Sequence, residues 1–270
     1  MKYHRRDVLF SQLIVLFLSS VVTAVLIALI ALIQLPRFTL IIFFLAVFCL
    51  FYYLLIIRPS KILLLGVLEL RIPPDFSATV QRIFEKYHPR ADFSHIKMHV
   101  VEDAGFNFWY FADRKSLHYV VSSHALTQLN EIDIESILLY LFELQNRTFV
   151  LRDTAILVLA SIAERIIITS VLGASLVHLV RSHDDDAAID NAVVEKMRYA
   201  VGYQTMLGKL QENSQTYGDF PASFGMNSVV DIAKKSVNAS LYRVHEDVEV
   251  RLVRMGATRY EGSGDESTTQ

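Results

Sequence analysis

The sequence predicts an α+β protein: an N-terminal transmembrane helical hairpin followed by a mainly helical domain with a small antiparallel sheet. Three observations predict it. Residues 8–33 and 38–57 are long apolar runs free of charge, parted only by Gln34-Leu35-Pro36-Arg37. Residues 96–102, 106–111 and 117–121 alternate with period two, the pattern of strands in a sheet. Residues 130–148, NEIDIESILLYLFELQNRT, carry Ile132, Ile134, Ile137, Leu138, Leu141, Phe142 and Leu144, which suit a helix buried on most of its circumference. The organisation expected is a membrane hairpin over 1–61 (spans about 8–33 and 38–57), a domain over 62–258 and a disordered tail over 259–270.

Each apolar run is long enough to cross a hydrocarbon core of roughly 30 Å at about 1.5 Å per residue. A cleaved signal peptide is the alternative for the first run, but the run is too long, lacks a small-residue cleavage pattern and is followed by a second one. Lys2, Arg5 and Arg6 precede the hairpin, Arg58 and Lys61 follow it, and only Arg37 stands at its tip. The positive-inside rule therefore places both ends in the cytoplasm. In a bacterium that means an inner-membrane protein with its domain cytoplasmic, in contact with the lipid bilayer.

Composition agrees. With 53% hydrophobic residues in 270, the chain does not read as a purely soluble protein. A net charge of -2 and the lack of any basic run interleaved with aromatics exclude a nucleic-acid partner on sequence grounds. The single cysteine, Cys49, allows neither an intramolecular disulfide nor a thiolate metal cluster, and its apolar run reads as lipid-facing or core packing.

Within the domain, residues 62–70 read as a strand or a continuation at the membrane surface, broken by Pro73-Pro74. A helix over 76–87 ends at His88-Pro89, and the period-two segments follow, the last two joined by a turn at 112–116. Asn130 caps the central helix, whose first turn carries Glu131, Asp133 and Glu135 against the helix dipole. Residues 154–180 are apolar except for Glu164-Arg165. One crossing would separate the two halves of the domain and two need about 40 residues, so a helix or bent helical pair that does not complete a pass is expected. Asp184, Asp185 and Asp186 read as a solvated helix cap, with cation attraction as the alternative. Residues 213–227 are a loop, and a closing helix contains 242–252.

The order of these parts carries a resemblance. A short strand at 117–122, a polar turn and a helix ending in Asn146-Arg147 are preceded by the strand Phe106-Asn107-Phe108-Trp109-Tyr110 and followed by the Asp190 segment and Tyr242-Arg243-Val244-His245. From about 58 to 255 the chain resembles the HtpX-like family of membrane zinc metallopeptidases, gluzincin-type enzymes whose central helix carries HExxH. With Asn146-Arg147 as the register, those five positions fall on Leu139, Tyr140, Leu141, Phe142 and Glu143. The segment that supplies the last zinc ligand in the family falls on 188–193, with Ala188 at the ligand position and Asp190 retained. The resemblance further implies that Asn107 lies on a strand whose edge pairs with extended substrate, that Asp190 helps orient the site, and that His245 is structural. The aromatic strand reads either as packing against the core helix or as a filled substrate groove.

A catalytic zinc takes about three protein ligands plus a water. Leu139 and Ala188 have no lone pair to offer, and Tyr140, with an ordinary pKa of about 10, stands where the family has its general base. What the resemblance implies is a degenerate member without catalytic, cofactor or metal residues. It retains Asn107, Asn146, Arg147, Asp190 and His245 and acts as a binding or regulatory subunit toward an integral membrane protein or a membrane protease. The alternative is an active membrane zinc endopeptidase with a relocated metal site, for which His95 and His99, four apart, are the nearest pair. A third reading is a membrane scaffold unrelated to that family.

Overall fold

The computed structural model describes residues 9, 11–17, 20–21, 24, 37–87, 93–165, 170–180, 184–197, 200–213, 220–231 and 239–262. They form a mainly helical α+β domain with a four-stranded mixed sheet. Helix α1 (Arg37–Tyr52) runs into a π-helical turn (Tyr53–Ile57) that Arg58 closes through its N–H on the Tyr53 carbonyl at 2.7 Å, and α2 (Ser60–Leu63) follows. No helix among the described residues is long and apolar enough to cross a membrane. The second expected span falls on α1, whose 16 residues extend about 24 Å at about 1.5 Å per residue before the hydrogen bonding changes to π. Of the first, only 9, 11–17, 20–21 and 24 are described, all helical; the rest lies outside the described residues.

The strands are β1 (Glu69–Leu70), β2 (Ile96–Val101), β3 (Phe108–Ala112) and β4 (Leu117–Ser122), in spatial order β1-β2-β4-β3. The expected β3–β4 hairpin is present, with Phe108 opposite Val121 and Ala112 opposite Leu117. The sheet is not antiparallel throughout, however: β2 runs parallel to β4, pairing Ile96 with Leu117 and Val101 with Ser122. Period-two alternation reports which faces side chains take and carries no information on strand direction. The chain after β2 crosses to the far side of β4 before starting β3. Ser122 holds that crossing: its hydroxyl donates to the Gly105 carbonyl at 2.6 Å and accepts the Asn107 N–H at 3.1 Å. The same oxygen caps α4 (Ser123–Gln128) by accepting the Ala125 N–H at 3.2 Å.

Helices cover both sheet faces, so every residue of β3 and β4 is buried. Phe108, Tyr110, Tyr119 and Val121 join one core with α3 (Pro74–Tyr87), α5 (Glu131–Arg147), α8 (Asp184–Met197), α9 (Ala200–Glu212) and α10 (Val248–Gly262). Trp109, Phe111 and Val120 join a second core with α6 (Val150–Arg165), α7 (Ser170–Val180) and a 3₁₀ turn (Ala222–Asn227). The aromatics of β3 therefore pack on the central helix only at alternate positions; Trp109 faces the opposite way, against Phe224 at 4.4 Å between ring centroids. Helix α10 extends to Gly262, so the expected tail is helical at 259–262, and 263–270 lie outside the described residues.

Central helix α5 starts as its sequence requires. The Asn130 side chain accepts the Asp133 N–H at 2.9 Å while Asp133 accepts the Asn130 N–H at 2.9 Å, a reciprocal cap. The apolar run 154–180 forms the bent pair α6 and α7. Its polar residues are used internally: Thr154 Oγ1 accepts the Ala112 N–H at 2.9 Å, and the Glu164 carboxylate accepts the Ala222 and Ser223 N–H groups at 2.8 and 3.0 Å. Helix α6 is covered on the sheet side and crossed by α7, while α7 leaves Val171, Leu172 and Leu179 exposed on its outer side.

That crossing is close at Gly173, where a Cβ atom would lie 2.6 Å from the Tyr242 hydroxyl and 2.9 Å from the Ala163 Cβ. Tyr242 cannot swing away without losing its hydrogen bond to the Ser170 carbonyl at 2.9 Å. Gly173→Ala is expected to lower unfolding stability by about 1–3 kcal/mol through overpacking, read from thermal unfolding in mild detergent; Gly208→Ala, with open space around it, is the matched control.

Candidate functional site

The positions at which the resemblance expects metal chemistry lie between α5 and α8, beneath α10. Leu139 is an ordinary core residue. Tyr140 is fully buried and donates its hydroxyl hydrogen to Asp186 Oδ1 at 2.6 Å. Glu143, one turn on, forms an ion pair with Lys196 near the end of α8. Ala188 contributes its backbone carbonyl, which accepts from Arg147 Nη2 at 3.2 Å. Asn146 is exposed at the end of α5. Asn107 is remote from this group: its amide donates to Asp103 in the turn before β3.

Asp186 corrects the sequence expectation. Of the three consecutive aspartates it is fully buried, and the side chains of Asp184 and Asp185 lie outside what is described. Its carboxylate accepts from the Tyr140 hydroxyl, from His245 Nδ1 at 3.0 and 3.1 Å, and from the Glu246 N–H at 2.9 Å. The other His245 nitrogen, Nε2, faces the Gly225 carbonyl at 2.8 Å. Both ring nitrogens therefore face oxygen atoms, one on α8 and one in the 3₁₀ turn. Asp186 is thus the buried hydrogen-bond partner of Tyr140 and His245, because helix α8 turns this third aspartate inward while the chain before α10 folds over it.

One turn further along α8, Asp190 sits in a second closed set. Arg251 donates to it from Nε at 3.0 Å and Nη2 at 2.6 Å, Tyr203 from its hydroxyl at 2.6 Å, and Arg254 from Nη2 at 3.1 Å. Arg251 is fully buried, also donates to the Val229 carbonyl at 2.7 Å, and lies over the Tyr140 ring at 5.2 Å. Burial works against its charge, but Tyr203, Tyr140 and Asp190 outweigh that and hold the guanidinium well above its ordinary range. Burial likewise pushes the Tyr203 hydroxyl well above the usual phenol range, with Arg251 acting in the opposite sense. Neither phenol is a base here: Tyr140 is committed as a donor, and Tyr203 stays protonated.

The arrangement braces α5, α8 and α10 against one another through buried hydrogen bonds. The two carboxylates have about four lone-pair sites each, and most are occupied by N–H and O–H donors. Among the described residues no three His, Cys, Asp or Glu side chains converge as a metal-binding group. Reading the sequence located Tyr140, Asp190 and His245 but missed Asp186, Arg251 and Tyr203. The available signal was the i, i+4 spacing of Asp186 and Asp190, which puts both on one helix face.

His99 lies across the sheet and not beside His95, which belongs to the 3₁₀ turn before β2. His99 Nε2 faces His118 Nδ1 at 2.8 Å, His118 Nε2 faces Asp113 at 3.1 Å, and His99 Nδ1 lies 3.5 Å from Glu69. Because an ionised Asp113 only accepts, His118 donates to it from Nε2. Burial first, then the nearby His118 and Lys97, lower the His99 pKa against the pull of Glu69. For Asp113 burial is the largest influence and acts upward, but hydrogen bonds from His118 and the Lys115 and Ser116 N–H groups overcome it and hold the carboxyl at about 2.

The two groups act in separate pH windows. A ring whose charged form is disfavoured by folding contributes stability above its unfolded value of 6.5, lost as pH falls through the lower folded value. Asp113 contributes above 3.8 and loses its share only toward about 2. The melting temperature is therefore expected to fall between about pH 7 and pH 5, and His99→Gln to flatten that slope while leaving the loss near pH 3.

The chain matches no protein-family model, no curated protein and no solved structure.

Proposed function

We propose that this chain is a catalytically inactive relative of the HtpX-like membrane metallopeptidases. In this reading it is anchored through 8–33 and 38–57, holds its domain on the cytoplasmic side of a bacterial inner membrane, and binds or regulates an integral membrane protein or membrane protease. The observation that carries the reading is the state of the degenerate positions Tyr140 and Glu143 and of the retained Asp190. Tyr140 is bound to Asp186, Glu143 to Lys196 and Asp190 to Arg251, so the space of a hydrolytic centre is filled by mutually satisfied side chains. A second observation supports it. The outer edge of β3 is paired with the chain itself: Trp109 bridges to Ser228, Ser228 Oγ donates to the Phe108 carbonyl at 2.9 Å, and Asn227 Nδ2 donates to the Tyr110 carbonyl at 3.1 Å. An edge closed in this way is not open to an extended substrate.

The test is purification of the tagged full chain in mild detergent, with metal analysis and a peptidase assay on the same sample. An identified integral membrane protein at a fixed ratio, without zinc or cleavage, is the expected result. One zinc per chain together with cleavage reverses the reading in favour of the relocated-site enzyme.

A further inference from the structure

Two separate stretches bring cations to the place where the apolar helix α1 ends. Arg58 closes the π turn, and Lys61 follows one turn later in α2. The tip of the β3–β4 hairpin adds Arg114 and Lys115, docked by the Arg114 N–H on the Ile56 carbonyl at 3.1 Å. All four side chains are exposed. The acid of that tip, Asp113, directs its carboxylate to His118 and to the Lys115 and Ser116 N–H groups at 2.7 and 2.6 Å. Beside the cations, Gly66 takes φ +83°, and the turn it permits presents Leu65 and Leu68 at 59% and 60% exposure. The next acid along, Glu69, lies beside His99.

Leucines standing out beside a group of cations, continuous with an apolar helix whose Ile41, Ile42, Leu45 and Leu50 are also exposed, match the layering of a membrane interface. Phosphate-bearing headgroups complement the cations, and the boundary with the acyl chains takes the leucines. We infer that this face rests on an anionic bilayer, with Arg58, Lys61, Arg114 and Lys115 on lipid headgroups and Leu65 and Leu68 inserted at the interface. The inference rests on the membrane reading above and adds a lipid preference and a fixed orientation of the domain. The hairpin tip is the part that sequence order does not place there, since it lies more than fifty residues beyond Ile56 yet is bonded to it.

Hydrogen exchange of the full chain in lipid nanodiscs tests it, using phosphatidylcholine alone and phosphatidylcholine with one-third phosphatidylglycerol. The expected result is several-fold slower exchange at 64–68 and 113–116 in the anionic discs only, with most of the difference removed by Arg114→Glu combined with Lys115→Glu. Each cation lost near such a surface weakens attachment about fivefold. Equal exchange in both discs, or a difference that survives the double variant, overturns the inference while leaving the anchor standing. A chain that does not enter discs refutes the anchor. Added then to vesicles of the same two compositions, it supports the face if it sediments with the anionic vesicles alone and refutes it if it sediments with both or neither.

Discussion

Replacing Asp190 by Ala is expected to lower unfolding stability by about 3–5 kcal/mol, the range for removing one partner of a buried ion pair. Arg251 and Asp190 are both fully buried, and the carboxylate is the only anion bonded to that guanidinium among the described residues. Without it Arg251 keeps the Val229 carbonyl and the Tyr203 hydroxyl, two dipoles in place of a charge. The loss is mainly an uncompensated cation, not a missing attraction, and that distinction can be measured. The double variant Asp190→Asn with Arg251→Met removes both charges at nearly unchanged volume, so it is expected to be more stable than Asp190→Ala. Thermal and denaturant unfolding in the same detergent decide; a double variant as unstable as the single one means that the network supports the packing of α8 on α10 through its hydrogen bonds and not through charge balance.

Local features were legible in the sequence, and long-range ones were not. The α5 cap could be read because Asn130 and Asp133 are three residues apart and bond each other. The β3–β4 hairpin could be read because both strands and their turn are contiguous. The parallel pairing of β2 with β4 could not, since it depends on which side of β4 the chain enters, which Ser122 settles through contacts to Gly105 and Asn107. Glu164 looked like an interruption of an apolar run and is a cap for the turn at Ala222–Asn227, reached across 58 residues. In the candidate site the split is the same. Tyr140 was singled out as a misfit for metal chemistry, but its partner sits in an acidic run whose solvated appearance hid one inward-facing member.

That partnership makes the converse substitution informative. Tyr140→Glu restores the carboxylate expected of a metallopeptidase at that position, yet it sets a second acid against Asp186 in a space closed to water. Two carboxylates about 3 Å apart cannot both ionise without a large cost, so one proton is retained between them. The variant is expected to be several kcal/mol less stable than the parent at pH 8, a loss in the range for a buried unpaired charge. It should recover part of that loss near pH 5, where the shared proton is held and supplies the hydrogen bond that the phenol made. Tyr140→Phe, which removes only the donor, is expected to cost about 1–3 kcal/mol with little dependence on pH over the same range. Melting curves of the three proteins at the two pH values separate the cases. A Glu variant as stable as the parent at pH 8, or one stabilised by added zinc, means that the interior accepts charge and metal at this point, and the inert account of the site then fails.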